Sequence, residues 1–148
     1  MKKIIFGGLL GLTVITACTK DKQTSIVGKW TLTKTKSKIT VNGALLQDTT
    51  VTSSSASSYL QFNVDGTGST TLATYVGSEP GTGAIIGATD FSYQLSGNAL
   101  HVNYKNNGGG TIDETALING NQLQINFKVN DTVQTTVFSA EVTEYFTK

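Results

Sequence analysis

The chain has 148 residues and a formal net charge of +1, which fits a single domain of ordinary size. All eleven basic residues are lysines, so the arginine contacts and basic stripe typical of nucleic-acid-binding proteins are missing. Sixteen glycines against one proline, with many threonines, serines and asparagines, indicate a chain rich in strands and turns. Cys18 is the only cysteine, which excludes a disulfide within the chain.

Residues 1–17 have the organisation of a secretion signal. Lys2 and Lys3 precede an apolar run over residues 4–15, which is too short to cross a bilayer, since a spanning helix needs about 20 residues. The run ends in Ile15-Thr16-Ala17-Cys18, which resembles the lipobox of bacterial lipoproteins. The resemblance implies cleavage before Cys18 and attachment of lipid, including palmitate, to that residue. The alternative is an ordinary signal peptide in which a cysteine occurs at this position by chance.

Residues 18–25 are polar and show no periodicity, so we expect a lipidated flexible tether. Thr19 stands where many Gram-negative lipoproteins that stay at the inner membrane have an aspartate. Lys20-Asp21 resembles part of the export signal of surface lipoproteins in Bacteroidetes. We therefore expect an outer-membrane lipoprotein that is held to the membrane through Cys18 and faces either the periplasm or the cell surface.

The mature domain, residues 26–148, alternates apolar and polar side chains with a period of two, which is typical of strands with one buried face. The apolar members are expected to point inward: Leu60, Phe62, Val64, Phe91, Tyr93, Leu95, Leu100, Val102, Tyr104, Leu123, Ile125, Phe127 and Val129. The pattern predicts strands at 27–35, 38–42, 45–53, 58–64, 68–76, 89–95, 99–105, 111–118, 122–129 and 132–146. The segment 49–58 is open to interpretation as an edge strand or a loop.

Short turns of glycine, asparagine and aspartate separate the predicted strands, for example Asp65-Gly66, Ser96-Gly97-Asn98, Asn119-Gly120-Asn121 and Asn130-Asp131. Strands joined by such short turns are antiparallel neighbours. An all-β, up-and-down meander of eight to ten strands can hide its edges completely by closing into a barrel. The interior of that barrel is expected to be either filled or an apolar pocket.

The segment Gly28-Lys29-Trp30 at the start of the first strand resembles the lipocalins and the lipocalin-like lipoproteins of Bacteroidetes. The segments 26–32 and 60–68 are similar to those lipoproteins as well. The resemblance implies a lipocalin-like β-barrel in which the glycine allows tight entry of the chain and Trp30 closes one end. Lipocalins usually pack an arginine from a late strand over this tryptophan; here Lys128 or Lys148 is the candidate substitute.

Two functions follow as hypotheses. The first is non-enzymatic binding of a small apolar ligand by a monomeric barrel. The second is a filled barrel that acts as a structural or interaction module, with Tyr59, Tyr75 and the Thr/Ser-rich faces meeting a protein or glycan. If a pocket exists, the expected ligand-binding residues are Trp30, Phe62, Phe91, Tyr93, Tyr104 and Phe127.

The sequence offers no catalytic or metal-binding constellation and predicts no cofactor. His101, the only histidine, lies on the predicted outer face between Leu100 and Val102. The acidic pairs Asp113-Glu114 and Glu141/Glu144 are interpreted as solvated charges, with Glu114 as the candidate if one carboxylate points inward. The segments at Asp48-Thr49 and Asp131-Thr132 resemble acceptor sites of O-glycosylation in Bacteroidetes, so Thr49 and Thr132 are candidate modification sites.

Overall fold

A computed structural model describes residues 25–53, 57–72, 74–76, 84–86, 89–105 and 110–148. The signal peptide, the lipidation site at Cys18 and most of the tether lie outside these residues. The described residues form eleven strands: β1 (Gly28–Val41), β2 (Ala44–Thr52), β3 (Tyr59–Phe62), β4 (Thr67–Thr70), β5 (Thr74–Val76), β6 (Ala84–Ile86), β7 (Thr89–Ser96), β8 (Ala99–Tyr104), β9 (Gly110–Asn119), β10 (Gln122–Val133) and β11 (Thr136–Thr147).

Eight of these strands close into an antiparallel barrel in the order β1-β3-β4-β7-β8-β9-β10-β11, with β11 returning to pair with β1. The closing pair is long, because residues 31–41 of β1 face residues 138–147 of β11. Strand β2 continues the barrel wall beside the far half of β1, while β5 and β6 form a separate two-stranded hairpin. Closure pairs the first strand with the last, so the predicted closed antiparallel β-barrel is confirmed.

A β-bulge in β1 changes which residues of that strand face the interior. Opposite β11, the register shifts between Leu32 and Lys34. Trp30 points inward before the bulge, whereas Thr35, Ser37 and Ile39 face the interior after it. A bulge inserts one extra residue into a strand, so the alternation of faces restarts in the opposite phase. The lysines at 34, 36 and 38 are thereby placed on the outer face.

The end of the barrel where β1 begins is closed by Trp30, whose side chain is completely buried. Its indole nitrogen donates a hydrogen bond of 2.6 Å to the carbonyl oxygen of Ile26. The Lys148 ammonium lies 4.5 Å from the centre of the Trp30 ring and donates to the Ser25 carbonyl oxygen at 3.1 Å. Lys148 therefore takes the position over the tryptophan, while Lys128 lies on the outer face within 3.5 Å of Glu141.

A cluster of aromatic rings packs above this closed end. Phe62 contacts Phe91 and Tyr93 edge-on, with centroids 5.5 and 4.9 Å apart, and Phe91 meets Tyr104 at 5.8 Å. Gly68 lies opposite Phe91 in the register, and a β-carbon at Gly68 would overlap the Phe91 ring and the Gln61 carbonyl oxygen. Gly68, the second glycine of the Asp-Gly-Thr-Gly segment, is thus required for the Phe91 ring to lie across β4.

Several predicted boundaries were wrong. The predicted strands 27–35 and 38–42 are one continuous strand, β1, and the predicted strand 68–76 is divided between β4 and β5. Strand β6 lies between the predicted strands 68–76 and 89–95, where no strand was predicted. The division follows from Thr70, whose hydroxyl oxygen accepts a 2.9 Å hydrogen bond from the Leu72 backbone and turns the chain inward.

The last hairpin turns later than predicted. Asn130 and Asp131 pair with β11 inside β10, and the turn lies at Gln134, which adopts a φ of 57°. Val64 was expected to point inward but is 79% exposed, because β3 ends at Phe62 and Val64 belongs to the turn. The inward residues of β7, β8 and the first half of β10 are buried, as predicted.

Candidate functional site

A cavity of about 560 Å³ occupies the half of the barrel away from Trp30. Its position follows from the register, since it is bounded by residues 35–39 of β1 and 138–144 of β11, whereas the closed end pairs Thr31 with Thr147. The described lining residues come from seven barrel strands and the β4–β5 connection: Thr35, Ser37, Ile39, Leu60, Phe62, Leu72, Phe91, Val102, Tyr104, Glu114, Ile125, Phe127, Val129, Asp131, Phe138, Ser139, Ala140, Val142 and Glu144. The interior of the barrel is therefore not filled.

Four of the predicted lining residues are at this cavity: Phe62, Phe91, Tyr104 and Phe127. The structure does not bring Trp30 and Tyr93 to it. Trp30 belongs to the closed end, and the Tyr93 hydroxyl donates a 2.7 Å hydrogen bond to the Asn63 carbonyl oxygen at the β3–β4 turn. Contact of any of these residues with a ligand stays a prediction.

Three carboxyl groups, those of Glu114, Asp131 and Glu144, line a cavity wall that is otherwise mainly apolar. Glu114 lies on β9 between Ile112 and Ala116, and Glu144 lies on β11 between Val142 and Phe146, so the period of two directs both side chains inward. Strand β10 runs between them, with Ile125 facing Glu144 across the pair. The interpretation of both residues as solvated charges was wrong, although the choice of Glu114 as the inward candidate was right.

The barrel wall changes the acidity of both groups. Burial, together with the charge of Glu144, raises the pKa of Glu114 to about 8. Burial raises the pKa of Glu144 to about 7. Taking a carboxylate out of water disfavours its charged form unless a cation or several hydrogen-bond donors compensate. Near neutral pH the cavity thus holds carboxyl groups close to their titration points.

The outward members of the same acidic pairs behave differently. The Asp113 side chain is 88% exposed and is hydrogen-bonded to the ring of His101 on the outer face. The Glu141 side chain is 60% exposed and lies 3.5 Å from the Lys128 ammonium. Adjacent positions on one strand therefore carry carboxylates in opposite environments. The signal for Glu144 was present in the sequence, because it shares the parity of Val142 and Phe146.

The sequence profile of the family described as lipocalin-like domain matches residues 26–145, which is most of the chain. The chain belongs to the lipocalin-like domain family. No curated protein and no solved structure matches it significantly. Members of this family are generally non-enzymatic binding proteins, and the open barrel fits a binding module.

The remaining candidate sites in this lipocalin-like domain lie on its outside. His101 is exposed, and the described residues contain no group of three or more His, Cys, Asp or Glu that could hold a metal ion. Within the same residues, no helix has the length and apolar character needed to span a membrane. Thr132 is exposed on β10 and Thr49 is half-buried on β2, where their modification stays a prediction.

Proposed function

We propose that this lipocalin-like domain binds a small, mainly apolar molecule in its barrel, without catalysis. The observation that carries the proposal is the open cavity of about 560 Å³. Ligand pockets in proteins have volumes of about 300–1,000 Å³ and are lined mostly by apolar and aromatic side chains. At about 30 Å³ for a water-sized group, the cavity has room for fewer than about twenty non-hydrogen atoms.

The rigidity of the cavity floor supports this proposal. The rings of Phe62, Phe91 and Tyr104 pack edge to face and are almost completely buried. The wall of the cavity nearest the closed end of the barrel is therefore formed without a ligand. A preformed apolar surface avoids the entropic cost of ordering side chains on binding. The upper wall, near Asp131 and Phe138, is more accessible and offers an entrance.

Filling the cavity tests the proposal. Ala140 lines the cavity from β11, so Ala140→Trp places an indole in the space that a ligand would take. Its neighbour Glu141 points outward, so Glu141→Trp is a matched control of the same strand and size. With pyrene as a neutral fluorescent probe, we expect binding by the wild type and the control and a loss of about tenfold or more in Ala140→Trp. Equal binding by all three proteins, or by none, would contradict a ligand cavity.

The location of the protein is a second part of the proposal: an outer-membrane lipoprotein anchored through Cys18 and facing the periplasm or the surface. Its support is the lipobox-like segment that ends at Cys18 and the polar tether that follows it. Two or more acyl chains give stable anchoring, whereas a single chain gives only reversible binding. Expression of wild type and Cys18→Ser in a Gram-negative host, with alkyne-palmitate labelling and membrane fractionation, tests this. Label retained by Cys18→Ser would contradict the anchor.

A further inference from the structure

The polar side chains that face the cavity indicate which chemical class of ligand it can bind. Glu114 is half-buried on β9 and lines the cavity. Glu144 is likewise half-buried and lines the cavity from β11, on the other side of β10. Carboxyl groups are rarely buried without a partner, because removing a charge from water is costly.

Neither carboxyl group has a partner of its own. Among the residues that the structure describes, no hydrogen-bond donor and no cationic group contacts Glu114 or Glu144. Burial is the main cause of the raised pKa of Glu114, and the like charge of Glu144 raises it further. A pair of half-buried carboxyl groups that lines an open cavity without a donor among the described residues is therefore a polar site that a ligand donor can complete.

The elements packed around the cavity supply acids but no base. The other titratable groups in its described lining are Tyr104 on β8 and Asp131 on β10. On β1 the bulge directs the lysines outward, where Lys34 and Lys36 lie over the Tyr145 ring at 4.1 and 5.7 Å. On β10, Lys128 is paired with Glu141 outside. The wall is thus apolar and potentially anionic, which disfavours a ligand carboxylate.

We propose that the cavity selects amphipathic amines: molecules with an apolar body lying on the Phe62, Phe91 and Phe127 wall and one protonated amine between Glu114 and Glu144. This inference rests on the proposed ligand-binding function and specifies the ligand class. The ammonium donates charge-assisted hydrogen bonds to the carboxylates, and a proton leaves the carboxyl pair for solvent when the cation binds. Affinity therefore rises with pH while the pair ionises, and falls only when the amine itself loses its proton.

The test compares ligands that differ only in the head group. Decylamine, 1-decanol and decanoic acid share the same ten-carbon chain, and their affinities for the wild-type protein are measured at pH 7 by pyrene displacement. We expect decylamine to bind about tenfold or more tightly than decanol, and decanoic acid to bind most weakly. In the double variant Glu114→Gln/Glu144→Gln, the preference for the amine disappears while decanol binding is kept or strengthened. The matched control Glu141→Gln, on the outer face of β11, keeps the wild-type preference.

The outcomes separate this inference from the proposed function. If decanol and decanoic acid bind as well as decylamine, the cavity is a ligand site but the amine preference is refuted. If none of the three binds and pyrene does not bind either, the ligand-binding function itself fails. If the double variant keeps the wild-type preference for decylamine, the carboxyl pair is not the recognition site. Retained decanol binding also shows that the variant is folded, so a loss of amine binding cannot be attributed to unfolding.

Discussion

Replacing the Glu114 carboxyl by an amide should make the protein more stable at alkaline pH. In the folded protein the pKa of Glu114 is raised from 4.5 to about 8, so the folded state binds more protons than the unfolded state between these values. Stability is therefore lost as the pH rises from about 4.5 to about 8, and the loss is complete above that range. Gln cannot ionise, so Glu114→Gln removes this cost while keeping the size of the side chain.

The size of the expected stability gain follows from the shift in the pKa of Glu114. A change of one pKa unit corresponds to about 1.36 kcal/mol, so the full shift of Glu114 sets an upper limit of about 5 kcal/mol. Solvent that enters the cavity raises the effective dielectric constant and reduces this value. We expect Glu114→Gln to exceed the wild type by about 2–3 kcal/mol at pH 8.5, with a difference near zero at pH 4.5.

Urea unfolding followed by the fluorescence of Trp30, the only tryptophan, measures this difference over pH 4.5–8.5, since its side chain is completely buried in the folded protein. Groups that do not interact with Glu114 titrate alike in both proteins, so their contributions cancel in the comparison, whereas the interaction with Glu144 is part of the measured difference. Glu141→Gln makes the same substitution at an exposed position of β11 and should run parallel to the wild type. Stability curves of Glu114→Gln and wild type that stay parallel across this range would refute the reasoning, as would a gain confined to acid pH.

Three further changes test other parts of the structure. Glu144→Gln should also gain stability at alkaline pH, by less than Glu114→Gln. It should lower the pKa of Glu114 as well, because it removes a charged neighbour, and NMR titration of the Glu114 carboxyl carbon measures that pKa. Gly68→Ala should lower the free energy of unfolding in urea by about 2–3 kcal/mol, because the new methyl group overlaps the Phe91 ring. Gly97 has a φ of 61° and open space around it, so Gly97→Ala should cost only about 1 kcal/mol, and equal losses would contradict the overlap. Lys148→Met should lower the thermal midpoint, because it removes about 1 kcal/mol of cation–π attraction to Trp30. Lys29→Met should change the midpoint less, since its contact with Tyr59 is more exposed.

The candidate site was only partly predictable. The alternation of residues in β7, β8 and β10 was enough to place Phe91, Tyr104 and Phe127 on the inner face, since a strand has a period of two wherever it is regular. Tyr93 shares the parity of Phe91, but parity does not say how far along the barrel axis a side chain lies. Only the register with β3 and β4 placed Tyr93 beside the turn and away from the cavity.

The bulge in β1 and the turn at Gln134 could not be predicted from the sequence, and the reason is the same for both. The bulge after Leu32 has no sequence mark, yet it decides that Thr35 and Ser37 line the cavity while the lysines of β1 stay outside. The turn at Gln134 contains no glycine, and the Asn130-Asp131 pair, which looks like a turn, is held in the long hairpin by pairing with β11. In both cases long-range pairing outweighs local preference.

The sequence by itself determined that this is an all-β, antiparallel barrel with one apolar face, because binary patterning and turn residues act locally and leave little choice of fold class. It also indicated which strand positions are inward wherever the alternation is unbroken, and it made Glu114 the inward candidate, although both Glu114 and Glu144 were interpreted as solvated charges. Only the tertiary structure decided that the barrel encloses an open cavity and that Glu114 and Glu144, from different strands, both line it, with no lysine among the lining residues that the structure describes. Those facts depend on register, bulges and strand length around a closed ring, and no single segment of the chain contains that information.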